Sequence, residues 1–226
     1  MQQIALDIGL VPVPTFDNYF PGPNDAVVEQ LQQWIRPQDS GFAPLTAYLC
    51  GPQGSGKSHL LQAAGDQWTA QGHVVGRLDA QADDTRVFDD RWVAVVMDDV
   101  DLYSPAQQHL AFSWFVQAHT LQRPVLAAGL VAPSALALRE DLRTRLGWGH
   151  VLGLELLSDA QTRVALRQAA DARGLALSDE VMDFTLRRFS RDLGSLMQLL
   201  DTLDRYALQT QRALTIPLVK SMLENA

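Results

Sequence analysis

The octapeptide Gly51-Pro52-Gln53-Gly54-Ser55-Gly56-Lys57-Ser58 constrains this chain more than any other stretch. It matches the pattern G-x-x-x-x-G-K-S/T in full, follows the apolar run Leu45–Cys50 and opens a helical stretch from Lys57 to about Ala70. Glycines at 51, 54 and 56 let the main chain wrap with its amides pointing inward, which makes an anion nest on the positive end of a helix. In that setting Lys57 reaches the β- and γ-phosphates of a nucleotide, and the Ser58 hydroxyl is placed to ligate Mg²⁺. His59 follows on the same helix and is counted with the nucleotide-site stretch, although packing is the favoured account of it.

A second feature completes the first. Val93-Ala94-Val95-Val96-Met97-Asp98-Asp99 is a hydrophobic strand ending in acid, the pattern in which a carboxylate holds the magnesium of a P-loop site. Asp98 is assigned to the metal, and Asp99 is assigned a catalytic position toward the attacking water.

Around these motifs, strands and helices alternate. His73–Leu78, Trp92–Met97, Pro124–Ala128 and His150–Leu154 read as further strands, with Pro105–Thr120 as a helix. Such interleaving implies right-handed crossovers and a parallel sheet between helices. After Leu157 the strands stop. Ser158 and Ser178 are helix caps, Gly174 is a stop signal, and Pro217 sits in the first turn of a last helix. The expected organisation is an extended arm rich in proline (1–23), an αβα P-loop domain (24–157) and a helical lid (158–226). Asn24 is expected to cap the first helix.

Composition narrows the function classes. With 226 residues, 47% of them hydrophobic and 19% charged, the chain has ordinary globular content. A net charge of -8 argues against a primary role in gripping nucleic acid. A lone cysteine, Cys50, fits a reducing compartment. No apolar run reaches the ~18 residues of a membrane span. The acid-rich stretch 79–90 reads as a solvated crossover. Arg139, Arg143 and Arg145 share a short helical segment before Gly147-Trp148-Gly149, where an arginine can project into a neighbouring subunit's site or simply face solvent.

The ordered set Thr15-Phe16-Asp17-Asn18-Tyr19-Phe20-Pro21-Gly22, the P-loop, Met97-Asp98-Asp99, Leu142-Arg143-Thr144-Arg145-Leu146-Gly147-Trp148-Gly149 and Ser190-Arg191-Asp192-Leu193 resembles the DnaA-type AAA+ ATPases over essentially the whole chain. The resemblance implies that Phe16, Asn18, Tyr19 and Phe20 approach the adenine of bound ADP or ATP. It also implies that Arg145 is an arginine finger acting in trans and that Arg191 is the lid arginine at the phosphates.

Within that family the chain looks like the Hda-type regulators of DnaA. It ends without a basic DNA-binding domain, and only about a dozen residues, five of them Asp, fill the gap where the initiator inserts helices. Gln3-Ile4-Ala5-Leu6-Asp7-Ile8 fits the family's sliding-clamp peptide imperfectly, with Gln3, Ile4, Leu6 and Ile8 as contact residues. The implied function is negative regulation of replication initiation: a nucleotide-bound protein, ADP favoured, docks on the DNA-loaded clamp and stimulates hydrolysis of DnaA-bound ATP. Cytoplasmic, replisome-associated placement and a possible homodimer follow from the same resemblance. One position departs from the pattern. Leu130 stands where the family carries a polar sensor after the fourth strand, which counts against hydrolysis by the chain itself. A helicase loader hydrolysing its own ATP, and a non-catalytic nucleotide-binding adaptor, are the alternative readings.

Overall fold

Trp92–Met97 forms a strand whose residues are buried from Ala94 onward, as expected for an apolar run covered on both faces. In the computed structural model, which describes residues 13–36, 44–82, 86–188, 193–210 and 212–224, it is β3 of a five-stranded parallel sheet. The others are β1 (Thr46–Cys50), β2 (Val74–Leu78), β4 (Val125–Gly129) and β5 (His150–Gly153), and the order is β2-β3-β4-β1-β5. β1 is therefore internal. It pairs Thr46–Cys50 with Val125–Gly129 of β4, and Ala47–Cys50 with His150–Gly153 of β5.

Alternation along the strands sorts side chains into two layers. Leu49, Val96 and Leu126 pack beneath α1 (Asp25–Trp34) and α2 (Lys57–Ala70), with Leu31, Leu60 and Leu61 as partners. Tyr48, Val95 and Met97 face α3 (Pro105–Thr120) and α4 (Glu140–Leu146), meeting Trp114, Phe115 and Leu142. Each such large side chain contributes roughly 1.5–3 kcal/mol of burial. Ser104 starts α3 with a capping box closed by Gln107. The Gln107 amide also donates to the carbonyls of Ala80 and Ala82, pinning the chain that leaves β2.

The chain divides into two compact units between Leu156 and Leu157. The second unit carries α5 (Asp159–Ala172), α6 (Asp179–Arg188), α7 (Leu193–Thr210) and α8 (Ile216–Glu224). Ser158 and Gln161 form a capping box, and Gly174 ends the first of these helices at φ +69°. Leu166, Met182, Leu196, Leu200 and Val219 form this unit's own apolar core. Arg173 pairs with Asp201 at 2.6 Å, and Arg163 pairs with Asp183.

Two expectations are corrected. Residues 1–12 of the arm lie outside the described residues, but from Thr15 the chain is turned rather than extended. The Thr15 amide donates to Asn18 Oδ1 at 2.8 Å, the Asn18 amide donates to Thr15 Oγ1 at 3.2 Å, and Gly22–Asn24 is a single 3-10 turn. The prolines excluded regular helix, and their fixed φ suits turns as well as extension. Asn24 stands at the N-cap of α1, yet its side chain makes no capping bond. It is used elsewhere.

Candidate functional site

The loop between β1 and α2 is built on left-handed glycines, Gly54 at φ +82° and Gly56 at φ +89°. A Cβ on Gly56 would lie 2.5 Å from the Tyr19 ring, and one on Gly51 would lie 2.4 Å from the Leu154 carbonyl oxygen. Both positions are therefore closed to larger residues. The Ser55 amide donates to Pro52 O at 3.2 Å, which tightens the bend. No side chain caps α2, leaving its first amides to the loop.

Lys57 is 6% exposed, and its ammonium donates to the carbonyls of Gly51 at 2.9 Å and Pro52 at 3.0 Å. The buried Ser55 hydroxyl has no hydrogen-bond partner among the described residues. A buried cation, an orphan hydroxyl and an uncapped helix start together fit a phosphate chain. Pro52, Gln53 and Ser58 are exposed at the rim.

The acidic side lies at the end of β3. Asp98 Oδ1 accepts from the Asp99 amide at 2.9 Å. Asp99 itself is left-handed at φ +49°, a strained conformation for a residue with a Cβ. Burial, then the neighbouring charges of Asp98, Asp101 and Asp79, raise its carboxyl above the usual range, while Lys57 opposes them. Such a concentration of negative charge suits a cation, and Ser58 with Asp98 are the residues that would hold Mg²⁺. Among the described residues, no group of three His, Cys, Asp or Glu side chains is placed to bind a metal. Any such ion would need further ligands from a phosphate. Beyond β4, the Leu130 amide donates to Asp101 Oδ1 at 3.0 Å while its side chain is 45% exposed. Leu130 thus presents an apolar side chain just beyond β4, with Asp101 anchoring that loop.

Residues 15–24 lie against the P-loop. The Tyr19 hydroxyl donates to Ser55 O at 3.0 Å, and its ring sits 5.4 Å from that of His59. His59 Nε2 is 2.8 Å from the Thr15 carbonyl, so this histidine ties the segment down. Burial lowers its pKa, partly offset by that carbonyl. Phe16 and Tyr19 pack on the apolar layer under α1 and α2, Phe20 is half-buried, and Asn18 is exposed in the turn.

Arg145 is half-buried, 4.8 Å from the centre of the Phe112 ring and 5.0 Å from that of Trp148. Its guanidinium donates to the Asp141 carbonyl at 3.2 Å, whereas the Asp141 carboxylate is taken by Arg139 at 2.6 Å. Arg145 therefore makes no direct ion pair among the described residues. Arg191, Gln3, Ile4, Leu6 and Ile8 lie outside the described residues. Sequence reasoning missed Asn24, Asp101 and Phe112. Asn24 was visible only as a cap, and nothing in the order of residues marks Phe112 as an arginine's partner.

This fold and site define a P-loop α/β domain followed in the chain by a unit of four helices. Residues 159–223 match the family model of the Hda lid domain. The C-terminal helical segment is therefore of the Hda lid type. The chain's fold is that of domain III of the Thermotoga maritima replication initiation protein DnaA, with a TM-score of 0.77 at 19% identity over 96% of this chain and 98% of that one. AMPPCP-bound DnaA from Aquifex aeolicus matches at TM-score 0.69 and 20% identity, over 95% and 70%. The Thermotoga maritima RuvB Holliday junction branch migration motor matches at 0.63 and 15%, over 94% and 72%. Among the described residues, no helix is long and apolar enough to cross a membrane.

Proposed function

We propose that this chain is a nucleotide-bound negative regulator of replication initiation that stimulates hydrolysis of ATP held by DnaA. ADP or ATP with Mg²⁺, when bound, would supply phosphate charge to the site. The P-loop amides and Lys57 would neutralise that charge, Ser58 and Asp98 would hold the ion, Phe16, Asn18, Tyr19 and Phe20 would approach the base, and Arg191 is the residue proposed to reach the phosphates. Asp99 has a carboxylate in the right neighbourhood for a water, but Leu130 leaves the end of β4 without a polar group. Turnover by this chain is therefore expected to be weak or absent.

The observation that carries the reading is the state of Arg145. A half-exposed guanidinium is held by two aromatic faces and left without a carboxylate of its own, so its charge is available to a neighbouring subunit. Set against the phosphoryl group in DnaA's site, it would stabilise the charge spreading over the equatorial oxygens. That contribution is on the order of 10³–10⁵ in rate, or about 4–7 kcal/mol. Docking of Gln3–Ile8 on the sliding clamp would raise the local concentration near the initiator, and a homodimer would hide Arg145 until needed.

The test is DnaA-bound ATP hydrolysis with clamp and DNA present. Arg145→Ala is expected to abolish stimulation while retaining ADP binding by the variant. Full stimulation by Arg145→Ala excludes the assignment.

A further inference from the structure

A buried asparagine at a helix start is ordinarily there to cap it, and Asn24, 2% exposed, does not. Its Oδ1 accepts from the Glu155 amide at 2.8 Å, and its Nδ2 donates to the Glu155 carbonyl at 3.0 Å. One side-chain amide thus satisfies both main-chain groups of a residue 131 positions away. The same Nδ2 lies 3.4 Å from the Tyr19 hydroxyl, which in turn donates to Ser55 O in the P-loop. The Leu154 amide donates to Cys50 O at 2.7 Å, and its carbonyl lies against Gly51, which admits no Cβ there. The P-loop is therefore bonded at its start to the exit of β5 and at its bend to Tyr19, and Asn24 closes the circuit between the two.

We propose that Asn24 is a positioning residue for the nucleotide site. By holding Tyr19 and Glu155 together it sets the bend of the P-loop, and it couples the state of that loop to the main chain at Glu155. The inference rests on the P-loop being a nucleotide site. Burial is what makes the circuit effective: a solvent-exposed amide would exchange these partners for water at little cost, whereas buried groups left unpaired are penalised. The Tyr19 hydroxyl is the link that can be cut most cleanly, because phenylalanine retains the ring on Gly56 and His59.

The experiment is amide hydrogen exchange on the full chain, with and without ADP and Mg²⁺, alongside titration of a fluorescent ADP analogue. Without nucleotide, Asn24→Ala is expected to speed exchange at Glu155 and also at the bonded loop amides of Ser55 and Leu60. Acceleration confined to Glu155 overturns the proposal. With ADP, the wild-type chain is expected to slow exchange at both the P-loop and Glu155. Tyr19→Phe should keep the first effect, lose the second and weaken ADP binding about fivefold. Slowing at Glu155 that survives in Tyr19→Phe also overturns it. Should Asn24→Ala not fold, Tyr19→Phe without nucleotide provides the same comparison at Ser55. A wild-type chain that ignores the ADP analogue sinks the nucleotide reading instead, and the nucleotide-free exchange still decides whether the circuit exists.

Discussion

The guanidinium of Arg145 sits 4.8 Å from the centre of the Phe112 ring, which also lies 5.0 Å from the guanidinium of Arg139. The segment 139–146 before β5 and the helix before β4 are thereby joined through one aromatic ring that two guanidinium groups approach. Phe112→Leu keeps the apolar volume and removes the ring's negative face. Stimulation of DnaA hydrolysis should fall about two- to fivefold, the kinetic equivalent of an exposed cation–π contact. ADP affinity of the variant should be unchanged, and both are measured by single-turnover hydrolysis and nucleotide titration.

Asp99 binds protons more tightly in the folded chain than in the unfolded one. The associated stability is present below the unfolded pKa near 3.9 and is lost as pH rises through the folded value, so its full cost stands at neutral pH. Asp99→Asn removes the like-charge repulsion and places asparagine in a left-handed conformation it tolerates. Without nucleotide, urea unfolding at pH 7 should show a gain of about 0.5–1 kcal/mol, discounted for solvent screening. No gain would mean the acidic cluster is already relaxed.

His119 runs the opposite way. Its ring stacks on Phe115 at 4.3 Å and lies 2.9 Å from Thr46 Oγ1, and burial followed by the charge of Arg145 lowers its pKa. The unfolded chain takes up this proton first as pH falls. Stability is then complete above about 6.5 and is lost between that value and the lower folded one. His59, lowered by burial, acts in the same direction. The melting temperature should drop by about 2 °C between pH 7 and pH 5 from His119, and His119→Gln should remove that share.

Two glycines flanking Val151 separate close approach from empty space. A Cβ on Gly149 would sit 1.8 Å from the Thr46 carbonyl oxygen, whereas one on Gly153 would meet nothing within 4 Å. Gly149→Ala must displace β5 from β1 and should cost about 3 kcal/mol or more. Gly153→Ala should stay within about 0.5 kcal/mol of wild type in the same urea unfolding series.

The parts of this molecule that rest on local chemistry were legible before the coordinates. The P-loop, the strand ending at Asp98-Asp99, the Ser158 cap and the Gly174 stop each depend on residues a few positions apart. Strand order was not legible from periodicity, because alternation says which faces are buried and nothing about neighbours. It came only from the family resemblance, and the sheet is β2-β3-β4-β1-β5. Asn24 shows a second limit: cap and cross-brace use the same side chain, and only the position of Glu155 in space separates them. The anchoring of Leu130 by Asp101 and of Arg145 by Phe112 is similarly long-range.

β1 has neighbours on both sides, while β2 and β5 are the two edge strands of the sheet among the described residues. A strand clamped left and right is the member of a sheet least able to slide, and the anion nest is mounted at its tip. Wear from insertion, drift or partner change can therefore accumulate at the two margins while the grip on phosphate keeps its calibration.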